Sequence, residues 1–135
     1  MKKITYIEKF MAQEIVRNIE VLDIDDMFKS SLYTFFSYTM TFRSPIPSVV
    51  LVEGQTVLIH WIAGPVSIEI EADYNGSYYL WAKDADDVEY ASGNYDNVVA
   101  RTVISLREIE DRLEKNNPDW REKYLAAMQQ VRSIV

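Results

Sequence analysis

No cysteine occurs in the 135 residues, and His60 is the single histidine. Disulfides, thiolate nucleophiles and cysteine-based zinc sites are therefore excluded, and so is a multi-histidine metal centre. Glycine and proline number four each, too few for a long flexible linker. No run of about 18 apolar residues is present, so no membrane span is expected. Lys2 and Lys3 open the chain, but Glu8, Gln13, Glu14 and Arg17 interrupt the stretch behind them. No cleaved signal peptide is expected, and a cytoplasmic location is the default. Bases are the scarcer charge, 14 against 21 acids, for a net charge of −7. That balance repels phosphates, and no basic run offsets it, so direct nucleic-acid binding is not expected. It suits a basic protein partner as well as ordinary solubility.

The apolar content suffices for a core. Hydrophobic residues make up 48% of the chain, and its length fits a single domain spanning 1–135. Thr5 with Glu8 forms a capping-box pattern. Ile7, Met11, Ile15, Ile19 and Leu22 then recur at helical spacing, predicting a helix over about 6–21. Phe28, Leu32, Phe35, Phe36 and Met40 predict a second helix, which Ser44-Pro45-Ile46-Pro47 ends. From there the period changes to two. Strands are expected at Val49–Val52, Gln55–Ile62 and from Val66 to Asp73, with Glu53-Gly54 and Ala63-Gly64-Pro65 as turns. Asn75-Gly76 is a strong signal for a two-residue hairpin turn. That turn pairs Tyr74 with Ser77 and Ala72 with Tyr79. It sends Tyr79 and Trp81 into the core and places Tyr78 and Leu80 on the outer face beside Glu69, Glu71 and Asp73. Val88–Ser92 is expected as a fifth strand. Asp96 or Asn97 can cap a third helix, carrying Val99, Val103, Leu106, Ile109 or Glu110, and Leu113. Pro118 opens a fourth, striped by Trp120, Tyr124, Met128 and Val131. The fold class is α+β: an antiparallel meander of four to five strands, over about 48–92, flanked by two N-terminal and two C-terminal helices.

Pro45, Pro47, Gly54, Val57, Ile59, Trp61, Ile68, Ile70, Gly76 and Tyr78 form a pattern. It runs as a proline-flanked strand, a glycine turn, a strand ending in tryptophan, an alternating strand, a second glycine turn and an aromatic strand. Over about residues 25–113 this resembles a group of small uncharacterised bacterial and phage α+β proteins. Their genes often sit in mobile-element or toxin–antitoxin neighbourhoods. The resemblance implies a fold and an accessory role, and it carries over no catalytic residue. Where the group has an acid before the tryptophan, this chain has His60.

Candidate chemistry is sparse. His60 could act as a general base, but it shares a strand face with Leu58 and Ile62, which favours a structural role. Ser67 or Ser77 could be combined with it on paper, yet no G-x-S-x-G turn is present. Glu69, Glu71 and Asp73 lie at alternate positions, about 6.6–7 Å apart along a strand. Such carboxylates could hold a hard metal ion or hydrolyse a glycoside; more simply, they mark a solvated sheet face. Asp84-Ala85-Asp86-Asp87-Val88-Glu89 resembles half a calcium loop without its glycine and bidentate glutamate. No phosphate-binding glycine loop occurs, and no cofactor is expected.

A surface remains. Between residues 66 and 96 there are eight acids and one base, Lys83. The expected function is a non-enzymatic protein-binding module: a small inhibitor, immunity or antitoxin-like accessory protein docking a basic partner. The expected contact residues are Glu69, Glu71, Asp73, Tyr78 and Leu80, with no catalytic and no metal-binding residue. Two alternatives stand beside it. One is a small carboxylate-based metal-dependent or hydrolytic enzyme. The other is a self-assembling structural protein, with a homodimer formed through the sheet edges and the Trp120, Tyr124 and Met128 stripe.

Overall fold

The computed structural model describes residues 6–134, and within them the side chains of 12–127. Two helices come first, α1 (Tyr6–Glu20) and α2 (Asp26–Thr39). Five strands come next: β1 (Ser48–Val52), β2 (Thr56–Ala63), β3 (Val66–Asp73), β4 (Tyr78–Lys83) and β5 (Glu89–Ser92). Helices α3 (Tyr95–Asn116) and α4 (Trp120–Ile134) close the described chain. The strands form one antiparallel sheet in sequence order, β1-β2-β3-β4-β5. This is an α+β fold with two helices on either side of a meander in the sequence. Thr5 lies outside the described residues, as do the side chains of Ile7, Glu8, Met11, Met128 and Val131.

Local signals explain the helix ends. Asp25 Oδ1 accepts the amide of Phe28 at 2.8 Å, a side-chain N-cap for α2. The cap of α3 is Asn94, whose Oδ1 accepts the amide of Asn97 at 3.1 Å. This corrects the expectation of Asp96 or Asn97: both lie inside the first turn, where Asp96 faces the positive end of the helix dipole. On α3, Val98, Thr102, Ser105, Leu106, Ile109 and Glu110 are buried. Both residues of the Ile109/Glu110 alternative therefore face inward.

The core lies between one face of the sheet and the helices α2 and α3. Val57, Ile59 and Trp61 of β2 point into it, with Val66, Ile68, Ile70 and Ala72 of β3. Trp61 donates its indole N–H to the Pro45 carbonyl at 2.9 Å and meets Phe36 edge-on at 6.1 Å. That contact explains why the strand ends in tryptophan: one side chain fills the core and ties down the proline segment. The buried Glu110 secures the same segment from α3. Its Oε2 accepts from Ser44 Oγ at 2.5 Å and lies 3.3 Å from Arg107 Nη1, while Arg107 Nη2 also donates to the Thr39 carbonyl. A carboxylate this deep is tolerated because it is hydrogen-bonded and paired.

The β3–β4 hairpin departs from expectation by one residue. Ala72 faces Tyr78, not Tyr79. The Asp73 amide donates to the Ser77 carbonyl at 2.8 Å, and the Gly76 amide to the Asp73 carbonyl at 2.9 Å. The loop is thus three residues, Tyr74, Asn75 and Gly76, with positive φ at Gly76 (91°) and not at Asn75. Asn75 uses its side chain differently, accepting the Ser77 amide at 3.0 Å. A one-residue slip turns every side chain over. Tyr78 (3% exposed) and Leu80 (0%) are therefore core residues, whereas Tyr79 (37%) and Trp81 (46%) face outward. The assignment of Tyr78 and Leu80 to an outer contact face is accordingly overturned. The alternative register would drive Lys83 inward with Tyr79 and Trp81, burying an ammonium group in an apolar layer.

Tyr78 fits its place. Its hydroxyl shares a 2.8 Å hydrogen bond with Ser31 Oγ, and its ring packs 5.2 Å from both Phe35 and Tyr95. The observed register predicts that Leu80→Ala lowers the unfolding free energy by about 2–5 kcal/mol. Trp81→Ser should cost about 1 kcal/mol. Urea titration of both variants checks this, and the reverse ranking would reinstate the two-residue turn. A second expectation concerns alkali. Burial pushes the Tyr78 phenol from 10.0 up to about 12, so the folded state keeps a proton that the unfolded chain releases. The associated stability is complete below about pH 10 and is lost as the pH rises towards 12. Urea midpoints measured across that window should fall less steeply in Tyr78→Phe than in the wild type.

Candidate functional site

Among the described residues the helices pack on one face only, so the other face of the sheet stands bare, and the register lays out its side chains. One row across the strands reads Val50, Leu58, Glu71 and Tyr79. The next reads Ser48, His60, Glu69, Trp81 and Ala91. A third reads Ile62, Ser67, Lys83 and Glu89. Directly opposed side chains of this kind sit about 4.5–5.5 Å apart at Cβ. Glu71 is therefore the cross-strand neighbour of Tyr79, and Glu69 that of Trp81.

The face divides into two halves of different character. On β1 and β2 it carries no formal charge with His60 neutral, and exposes Val50, Val52 and Ile62, the last 67% exposed. On β3 to β5 it carries Glu69, Glu71, Asp73 and Glu89 around Tyr79 and Trp81. The only base on this face among the described residues, Lys83, is bridged to Asp87 at 2.7 Å, which holds its ammonium above the ordinary lysine value. Asp73 accepts from Thr56 Oγ1 at 2.6 Å, so it ties the end of β3 to the start of β2. Glu69 is exposed and Glu71 half-buried, and both stand beside the aromatic rings.

Tyr79 and Trp81 form a pair, with ring centroids 4.3 Å apart and planes inclined by 55°. Gly93, just past β5, makes room for it: a Cβ there would come within 3.3 Å of Tyr79 Cδ2. The pair is thus held from one side by backbone and open on the other.

Other candidate groups are placed differently. His60 shares the bare face with Ser67 and Glu69, but no hydrogen bond joins it to Ser67 or Ser77 among the described residues. Asp84 turns its carboxylate into its own loop, where Oδ1 accepts the amides of Asp86 and Val88 at 3.0 Å. The Ala85 amide is bound by Glu108 at 3.2 Å. Among the described residues no group of three or more histidines or acids is arranged to hold a metal ion, and no helix is long and apolar enough to cross a membrane. Trp120 packs against Ile46, Leu113, Tyr124 and Leu125, so part of the stripe offered for self-assembly is used within the chain.

Sequence reasoning found Glu69, Glu71 and Asp73 on the outer face and missed Tyr79 and Trp81 beside them. The signal that could have found them was Lys83, which shares their parity and would have to be buried with them. In class, the chain is a two-layer α+β protein with one uncovered sheet face bearing an acidic-aromatic patch. Comparison with family models, with curated proteins and with solved structures finds no match to this chain.

The contact at Gly93 makes the site testable apart from any ligand. Gly93→Val should push the Tyr79 ring away from Trp81 and weaken the Tyr–Trp exciton signal in circular dichroism. The core should be untouched, so the thermal midpoint should move little. An unchanged signal would mean that Gly93 does not seat the pair.

Proposed function

We propose that the protein is a non-enzymatic binding module, an inhibitor, immunity or antitoxin-like accessory protein, that docks a basic protein partner on its bare sheet face. The contact residues in this reading are Glu69, Glu71 and Asp73 with Tyr79 and Trp81. The last two take the place given to Tyr78 and Leu80 on sequence grounds. One observation carries the proposal: the Tyr79–Trp81 pair is presented to solvent directly opposite Glu71 and Glu69. Tyrosine and tryptophan supply much of the energy at protein interfaces because they bury a large area and lose little side-chain freedom. Carboxylates around them accelerate encounter with a positive surface and disfavour acidic competitors. The uncharged half on β1 and β2 extends the same surface with Val50, Leu58 and Ile62, so a partner could bury an apolar area beyond the charged one. The net charge of −7 favours the same class of partner at long range.

The test uses the partner recovered by affinity purification from the native host and then purified. It should be basic, and Tyr79→Ala and Trp81→Ala should each raise Kd at least about tenfold, about 1.4 kcal/mol. Glu69→Lys with Glu71→Lys should slow association most at low salt, with the effect shrinking as salt is added. An acidic partner, or a Kd indifferent to both aromatic truncations, sinks this reading.

A further inference from the structure

The patch contains a concave feature. A shallow depression of about 380 Å³ opens on the bare face, with Ser67, Glu69, Trp81, Lys83 and Glu89 among its lining residues. The register explains why it is hollow. Trp81 is flanked by Glu69 on β3 and by Ala91 on β5. Alanine fills little space, so the β5 side of the indole is not covered by a neighbouring side chain. Glu89 lies two residues before Ala91 on the same strand face and is diagonal to Trp81, while Ser67 is the small residue diagonal on the β3 side. An aromatic wall thus stands between two carboxylates with open space beside it. The depression's own cation, Lys83, stands across from Glu89 and feels its charge, but its ammonium is bridged to Asp87 at 2.7 Å, and among the described residues no salt bridge joins it to Glu69 or Glu89.

The geometry points to a guanidinium-binding site: the depression receives one arginine side chain of the partner, stacked on Trp81 and bonded to Glu69 and Glu89. This rests on the docking of a basic partner and specifies its chemistry. A guanidinium is planar and weakly hydrated, so it can lie on an indole while its edge N–H groups reach carboxylates. An ammonium group is compact and strongly hydrated, and it cannot fill the stacking and bridging roles together. Guanidinium stacking on an aromatic ring already occurs at Tyr90, which also lines the depression: the Arg101 guanidinium lies 3.6 Å from the centre of its ring.

The probe is a pair of blocked tripeptides, Gly-Arg-Gly and Gly-Lys-Gly, titrated into the labelled full chain and followed by NMR. The Trp81 indole N–H is an exposed reporter, since Trp61 and Trp120 are buried. The arginine peptide should give saturable shifts centred on Trp81, Glu69 and Glu89, with Kd on the order of millimolar for one cation–π contact and two exposed ion pairs. The lysine peptide should bind at least about threefold more weakly. Trp81→Ala should abolish saturation, and Glu69→Gln and Glu89→Gln should each weaken binding about threefold or more, whereas Asp96→Asn should not. Equal binding of the two peptides, indifference to Trp81→Ala, or shifts centred on Asp84–Asp87 would overturn the assignment. The two readings fail separately. If the arginine peptide does not bind while Tyr79→Ala and Trp81→Ala still weaken the partner, the guanidinium site falls and the docking face stands. If the peptide binds at Trp81 but the partner ignores both truncations, the docking face falls.

Discussion

The closure of the β3–β4 hairpin at Asp73 and Ser77 decides what is inside this molecule and what is outside. Two backbone hydrogen bonds, at 2.8 and 2.9 Å, make the loop three residues long. An extended chain alternates its side chains strictly, so that count sets the direction of every residue from Tyr78 to Lys83. Tyr78 reaches Ser31 on α2 and Tyr95 on α3, so one sheet residue touches both helices. Leu80 and Ala82 continue inward after it. The same count delivers Lys83 to solvent, where Asp87 pairs with it. Core packing and the outer patch are two consequences of one turn.

The second constraint is the placement of the helices. Glu110 and Arg107 on α3 hold the Thr39–Ser44 segment, and Trp61 holds Pro45 from the sheet side. The path from α2 into β1 is therefore fixed on the core side. Both central helices remain on that side, and no described helix packs over the other face. An antiparallel sheet tolerates this, because its alternation can present polar residues to water on one face. Here the water-facing residues are not all polar, and the partition into a neutral half and an acidic-aromatic half arises from strand identity.

Much of this was legible in the chain. Helical spacing in the first and last thirds and period-two alternation between residues 48 and 92 anticipated four helices around a meander of four to five strands; the structure has five strands, and its last helix begins at Trp120, two residues after Pro118. Glu69, Glu71 and Asp73 were placed outward correctly, because Ile68 and Ile70 leave them no other direction. Two things escaped. Asn75-Gly76 supports either loop length, since asparagine can adopt positive φ or instead bind the chain ahead through its side chain, and it does the latter. Local signals do not separate these choices; the burial cost of Lys83 does, and it acts through the tertiary structure. The inward face of Glu110 escaped for a related reason. A lone acid in an apolar stripe reads as a boundary unless its partners Ser44 and Arg107, one of them 66 residues away, are already known.

Folding alone does not account for the outer face of β3 and β4. Strand β3 is the central strand of the sheet, and glutamate is disfavoured in strands relative to threonine or valine. Cross-strand stability would be served better by an aromatic opposite a β-branched residue than by glutamate opposite tyrosine and tryptophan. Leaving Trp81 nearly half exposed forgoes burial that the inward face of the same strand obtains in full. Solubility does not require the combination either, because acids elsewhere already carry the net charge. The choice of two glutamates facing two aromatic rings on an uncovered sheet is thus neutral or mildly unfavourable for the isolated chain. It becomes favourable when a cationic surface covers it, because the rings are then buried and the carboxylates are paired.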